Sequence, residues 1–229
     1  MSHNFLKRII TSFILLSLLI FINFSHQYVF ILSILILGMV ICLEANNLFS
    51  KILITKYSRE NLTSNRFNFK FIILNILTFC YIFFIFCNLS YEIHETKGSI
   101  FFLYILSICF FTDIGGYFFG KIIGGKKLSK ISPNKTISGT VGSFLLSMTP
   151  LIIVLNINFL DFKLNLTNIF FCLLISLISQ LGDLFISFIK RKANTKDTGN
   201  VLPGHGGILD RLDGIIFAIP FSYFLIKLI

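Results

Sequence analysis

TNIFFCLLISLISQLGDLFISF, Thr167 to Phe188, carries a single formal charge, the carboxylate of Asp183, in an otherwise uncharged and mostly apolar run. A helix needs about 20 mainly apolar residues, in a range of roughly 17–25, to cross a bilayer. The run therefore predicts a membrane-spanning helix with an acidic residue near one end. Six more runs of this character are present: Ile9–Phe24, Tyr28–Leu43, Phe69–Leu89, Ile100–Phe119, Gly139–Ile157 and Ile215–Leu228. Of the 229 residues, 55% are hydrophobic and 13% charged, with a mean hydropathy of +0.86. Soluble domains carry about 25% charged residues. The expectation is an all-α polytopic integral membrane protein of about seven transmembrane helices, folded as one structural domain. Residues 1–110 hold the N-terminal helices and a cytoplasmic loop, and residues 111–229 hold the transmembrane region with the polar motifs.

Lys and Arg concentrate in cytoplasmic loops. With seven spans and the N-terminus inside, every basic residue except Lys97, Lys163 and Lys227 falls on the cytoplasmic side. The net charge of +10 then belongs to that face, where it attracts anionic lipid headgroups. No soluble module is present to dock a nucleic-acid groove, so nucleic acid is not an expected partner. Lys7 and Arg8 precede the first run as in a signal peptide, but INFSHQYVF offers no small-residue cleavage site, which predicts a retained anchor. Cys42, Cys80, Cys87, Cys109 and Cys172 sit in apolar runs without paired spacing and read as small hydrophobes.

Two polar segments emerge on the predicted cytoplasmic side. The first is TDIGGYFFGKIIGGKKLSKISPNKTISGTVGS, Thr112–Ser143. Gly120, Gly125 and Lys126 fit the first part of a P-loop pattern, yet Lys127 stands where a Ser or Thr must bind magnesium, and no strand precedes it. What remains is a glycine-rich turn with lysines, able to receive phosphate or simply to be a solvated basic loop. Ser132, Lys135 and Thr136 add donors before the next helix, whose N-terminus favours anions. Asp113, Tyr117 and Lys121 follow at helical spacing, as do Asp183, Ser187 and Arg191.

The second segment ends in LPGHGGILDRLDG, Leu202–Gly214. Asp210 and Asp213 are three apart and face one way if Ile208 or Leu209 begins the last helix. Two carboxylates beside a phosphate surface suit Mg²⁺, which takes one or two carboxylates plus substrate phosphates. Gly204, Gly206 and Gly207 allow close backbone approach to a ligand. His205, set between glycines, is assigned a substrate contact in preference to proton transfer. Together these residues predict phosphoryl or nucleotidyl transfer at the cytoplasmic face.

Ser187–Gly214 closely resembles the signature of phosphatidate cytidylyltransferases, also called CDP-diacylglycerol synthases. The matching positions are Ser187, Lys190, Arg191, Lys196, Asp197, Pro203, Gly204, His205, Gly206, Gly207, Asp210, Arg211 and Asp213. The upstream block from Asp113 through ISPNKT is similar to that family as well. Where the family commonly continues with Trp-Glu-Gly, this chain has Ile137, Ser138 and Gly139. The resemblance implies CTP and phosphatidate as substrates, giving CDP-diacylglycerol and pyrophosphate in phospholipid synthesis, in a bacterial inner membrane. It implies Asp183, Asp210 and Asp213 as ligands to Mg²⁺, with K⁺ as a candidate second cation. Lys190, Arg191, Lys196 and Arg211 would hold phosphates, with Asp197 and His205 beside them. Asp113, Lys126, Ser132, Lys135, Thr136 and Ser187 would complete the substrate cradle. Relatives also imply a homodimer. The competing readings are a CTP-dependent lipid-alcohol kinase, a related lipid cytidylyltransferase, a transporter, and an inactive relative.

Overall fold

A computed structural model describes residues 3–56, 65–129, 132, 135–157, 164–202 and 206–228. They are almost entirely helical, with no strand among them beyond two isolated bridges, Lys127 to Thr136 and Leu202 to Gly206. The helices are α1 (His3–Phe24), α2 (Gln27–Lys56), α3 (Asn65–Cys80), α4 (Asn88–Lys97), α5 (Ser99–Ile122), α6 (Ile137–Leu146), α7 (Thr149–Ile157), α8 (Leu166–Lys192), α9 (Leu209–Leu212) and α10 (Ile215–Leu228). A π-helical stretch, Tyr81–Cys87, joins α3 to α4 without a break.

The predicted spans are helical apart from a break at Ser147–Met148, and five stretches are long and apolar enough to cross a membrane: Gln27–Thr55, Phe67–Lys97, Ser99–Ile122, Ile137–Asn156 and Leu166–Lys192. Ile10–Phe24 and the 14-residue α10 are shorter. The chain is an all-helical membrane protein. Three predicted boundaries need correction. The run ending at Leu43 continues as helix to Lys56, because Glu44 is buried and hydrogen-bonded instead of marking an exit. The run ending at Leu89 continues to Lys97. The run from Gly139 is interrupted at Ser147–Met148, and Pro150 then sits in the first turn of α7, where its missing N–H costs nothing.

The chain forms two compact units. Met1–Tyr91 and Ile189–Leu212 make the first, whose core includes Phe30, Ile41, Leu48, Ile82 and Phe86. Glu92–Phe188 and Asp213–Ile229 make the second, centred on Ile105, Ile108, Leu151, Ile175 and Ile219.

In the second unit, α5 and α6 meet along a seam of small residues. A Cβ on Gly115 would lie 2.4 Å from the Gly142 oxygen, one on Gly139 2.7 Å from the Gly116 oxygen, and one on Gly142 2.4 Å from Phe119 Cβ. Small residues at such a seam let backbones approach within van der Waals range, which substitutes for hydrophobic driving force in lipid. Ser143 Oγ then donates to the Thr112 oxygen at 2.8 Å, and Thr112 Oγ1 donates to Ser176 Oγ at 3.0 Å, tying α8 to the same seam. Gly142→Ala is therefore expected to destabilise this unit by about 1–3 kcal/mol, the usual range for overpacking. Thermal unfolding in detergent measures it.

Candidate active site

In the first unit the polar loop after α8 folds around Asp210. The helix ends where Asn194 takes a positive φ of 53°, a C-terminal conformation that Asn tolerates. Arg191 donates to the Thr195 oxygen at 3.3 Å and so braces the exit. Asp210 Oδ1 accepts from Lys190 Nζ at 2.7 Å. Asp210 Oδ2 accepts from the Thr198 amide at 2.8 Å and the Gly207 amide at 2.9 Å, and lies 3.0 Å from Thr198 Oγ1. The Lys190 and Asp210 side chains are only 11% and 8% exposed. Burial by itself would raise the Asp210 carboxyl. The hydrogen bond from Lys190 and the two amide bonds outweigh it and hold the group below the ordinary carboxylate value of 3.8.

That depression fixes the sign of an acid dependence. A carboxylate bound more tightly in the folded state contributes stability above its unfolded pKa and loses it as pH falls through the folded one. The loop is expected to hold unchanged from neutral pH down to about the ordinary carboxylate value and to loosen below it. Hydrogen exchange in the 195–212 peptide across a pH series reads this, once corrected for intrinsic rates.

The glycines explain how the loop closes. Gly206 has φ +84°, and a Cβ there would meet Asp210 Oδ2 at 2.9 Å. A Cβ on Gly207 would lie 2.0 Å from Thr198 Oγ1 and 2.4 Å from Glu44 Oε2. The close approach expected toward a ligand is, at these two positions, an approach to the chain's own carboxylates. Glu44, on α2, accepts from the Ile208 amide through Oε1 and from the Leu209 amide through Oε2, both at 2.9 Å. Asp197, Lys196, Arg191 and Arg211 are exposed on this loop or at its ends. His205 and Gly204 lie outside the described residues.

In the second unit, Asp183 Oδ2 is paired with Lys135 Nζ, and Asp183 Oδ1 accepts from Ser187 Oγ at 3.2 Å, the helical spacing anticipated from sequence. Lys135 is carried by the loop before α6, which closes through Leu128 N to the Lys135 oxygen at 2.8 Å and Ile137 N to the Lys126 oxygen at 3.0 Å. Ser132 turns this loop by accepting from the Lys135 amide at 3.1 Å. Thr136 caps α6, its hydroxyl accepting from the Gly139 amide at 3.1 Å. Ser138 Oγ donates to the Gly124 oxygen, sealing the loop at its base. The Lys126 and Lys127 side chains are exposed. Asp113 is exposed on α5, and farther along the helix Lys121 Nζ donates to Tyr117 OH at 3.3 Å.

Asp210 and Asp213 do not share a helix. Leu209 does start one, but α9 ends at Leu212 and α10 starts only at Ile215. Gly214 is pressed so tightly on α8 that a Cβ would lie 2.4 Å from Ser179 Oγ, and Gly182 faces the Asp213 oxygen in the same way. The Asp213 backbone thus packs on α8 one residue from Asp183.

A model of the cytidylyltransferase family matches residues 46–229. The chain belongs to that family. Among relatives of this cytidylyltransferase-family chain, the phosphatidate cytidylyltransferase of Bacillus subtilis (strain 168) is 41% identical over 138 residues, 58% of this chain and 50% of the relative. That of Staphylococcus haemolyticus (strain JCSC1435) is 38% identical over 161 residues, covering 69% and 60%. That of Staphylococcus aureus (strain COL) is 43% identical over 128 residues, covering 55% and 48%. The chain therefore spans about half the length of the curated relatives it matches.

Among the described residues no three His, Cys, Asp or Glu side chains cluster as a ready metal site. Magnesium does not need three, since substrate phosphates complete its oxygen shell. The donors here are hard oxygens, and two of the three candidate carboxylates already hold an ammonium: Lys135 on Asp183 and Lys190 on Asp210. Asp210 Oδ2 is filled by its loop donors and Oδ1 holds the Lys190 ammonium; Asp213 Oδ1 accepts from the Gly214 amide at 2.9 Å. Each of the three carboxylates, taken within its own unit, offers the hard oxygens that a divalent ion takes. Sequence reasoning missed Glu44 and Thr198. A carboxylate directly behind an apolar run was a visible signal for the first, whereas nothing in the sequence distinguished Thr198.

Proposed function

We propose that this chain is a CTP:phosphatidate cytidylyltransferase of a bacterial cytoplasmic membrane, with seven spans, a cytoplasmic N-terminus and its site at the inner leaflet. The observation that carries the reading is a carboxylate with an ammonium beside it in each unit, Asp183 with Lys135 in one and Asp210 with Lys190 in the other, on apolar helical scaffolds. Family membership and the names of the relatives support the substrates.

The acceptor is a phosphate monoester and needs no dedicated base, because its oxygen is already ionised. That oxygen forms a bond to the α-phosphorus of CTP, the bond from that phosphorus to the bridging oxygen breaks, and pyrophosphate leaves with the electron pair. Both reactants are anionic, so the work of the protein is positioning and charge neutralisation. Lys126, Lys135, Arg191, Lys196 and Arg211 are assigned to phosphates, and Lys190 keeps Asp210 ionised and in place. Asp183, Asp210 and Asp213 are assigned to Mg²⁺, which would supply further neutralisation of the phosphates. The acyl chains stay in lipid, and the headgroup meets CTP from water.

The test is incubation of the purified protein with labelled CTP and phosphatidate, with and without Mg²⁺ and K⁺. Pyrophosphate and a CDP-lipid are expected. CDP with a phosphorylated alcohol would favour a kinase, and ion flux without CTP turnover a transporter. An impermeant thiol reagent reaching a Lys196→Cys variant only from the cytosolic side checks orientation.

A further inference from the structure

Glu44 lies outside the signature and two residues ahead of the stretch the family model matches, yet the signature loop closes on it. It is 3% exposed, in a helix whose neighbouring inward residues, Ile41 and Leu48, are apolar core. An acidic group inside an apolar helix costs about 2.5–3.5 kcal/mol on insertion scales, and such groups are by default functional. Its oxygens accept the Ile208 and Leu209 amides, the first of which precedes and the second of which opens α9. Its Oε2 also accepts from Thr198 Oγ1 at 2.7 Å, and Thr198 is 2% exposed. The same Thr198 oxygen lies 3.0 Å from Asp210 Oδ2, which receives the Thr198 amide as well. A hydroxyl has one hydrogen, so Thr198 donates to one carboxylate at a time and links the two. These bonds run to the loop, not across the helix bundle.

We propose that Glu44 is a positioning residue for nucleotidyl transfer: by holding the Ile208 and Leu209 amides and the Thr198 hydroxyl, it fixes Thr198 and the Gly206–Leu212 segment in the form that presents Asp210. The inference rests on the transfer reading above. In Glu44→Gln an NH₂ group replaces one oxygen and faces donors, so at least one of these bonds is lost. Thr198→Val removes the link, and Thr198→Ser keeps it.

The experiment compares wild type, E44Q, T198V, T198S, the double variant and an exposed control, Glu95→Gln, in lipid nanodiscs. Hydrogen exchange by mass spectrometry is read alongside kcat and KM. For E44Q the 195–212 peptide is expected to exchange at least about tenfold faster while α5–α8 peptides stay unchanged, and kcat to fall at least about tenfold with KM for phosphatidate within twofold. T198V should behave like E44Q, the double variant no worse than either alone, and T198S and E95Q like wild type. Wild-type kcat in E44Q, or faster exchange spread over every helix, overturns the proposal. A wild type that makes no CDP-lipid sinks the transfer reading instead. The exchange comparison still decides whether Glu44 holds the loop, since unchanged loop exchange in E44Q rejects it without any activity measurement.

Discussion

Asp210→Asn is expected to reduce CDP-lipid synthesis by roughly a hundredfold or more. The amide cannot satisfy both sides of the site. With its oxygen toward Thr198 and Gly207, its NH₂ meets the Lys190 ammonium; turned over, it meets the donors that Oδ2 now accepts. Removing one partner of a buried ion pair costs about 3–5 kcal/mol, because the other charge is left without compensation. At 1.36 kcal/mol per tenfold, even the lower figure drawn from the active loop conformation is about a hundredfold in rate. Loss of activity alone would not separate chemistry from folding, so a second variant is informative. Asp210→Asn combined with Lys190→Met removes the stranded charge. Thermal stability should then recover in part, since the uncompensated buried charge that makes loss of one partner so costly is gone, while turnover stays lost. Recovery of turnover in the double variant would reduce the pair to a structural strut.

The fold was legible where length and composition decide it. Thr167–Phe188 is helical through its whole length because an apolar run of that size has few alternatives in lipid. The i, i+4 relation of Asp183 and Ser187 followed directly from the helix period. What sequence could not settle was the use of glycine. Gly120 reads in sequence as part of a phosphate-binding turn or of a solvated basic loop, whereas in the structure it packs against Thr136 and Gly139 of the α5–α6 seam, which only the partner backbone reveals. Asp210 and Asp213 separated for a related reason: the stop at Leu212 comes from Gly214 settling on Ser179, a contact between residues far apart in the chain. Glu44 is hidden in the sequence because its charge closes the apolar run Tyr28–Leu43, although burial and hydrogen bonding let the helix run on to Lys56.

Asp183→Asn is expected to cost roughly a hundredfold or more in kcat, a loss of the size seen when one charge-stabilising group is removed from a transfer site. Its effect should differ in kind from that of Asp210→Asn. Asp183 is about a quarter exposed, and the loop that carries its partner Lys135 is closed at its base by backbone bonds and by the Ser138 hydroxyl, independently of the ion pair. The loop therefore tolerates loss of the pair, and thermal stability should scarcely change, as for ion pairs near water. Lys135→Ala provides the contrast. The ammonium occupies the carboxylate that a divalent ion is proposed to use, so its removal should leave the Mg²⁺ half-activation concentration unchanged or lower. If Lys135 exchanges Asp183 for a substrate phosphate on binding, KM for CTP should instead rise about tenfold, the equivalent of 1.4 kcal/mol of binding. Direct binding of Mn²⁺, followed by its electron paramagnetic resonance, reports on the carboxylate without turnover: weakened in Asp183→Asn, retained or strengthened in Lys135→Ala. Weakening in both would mean that Lys135 helps to build the cation site, and the exchange of partners would have to be abandoned.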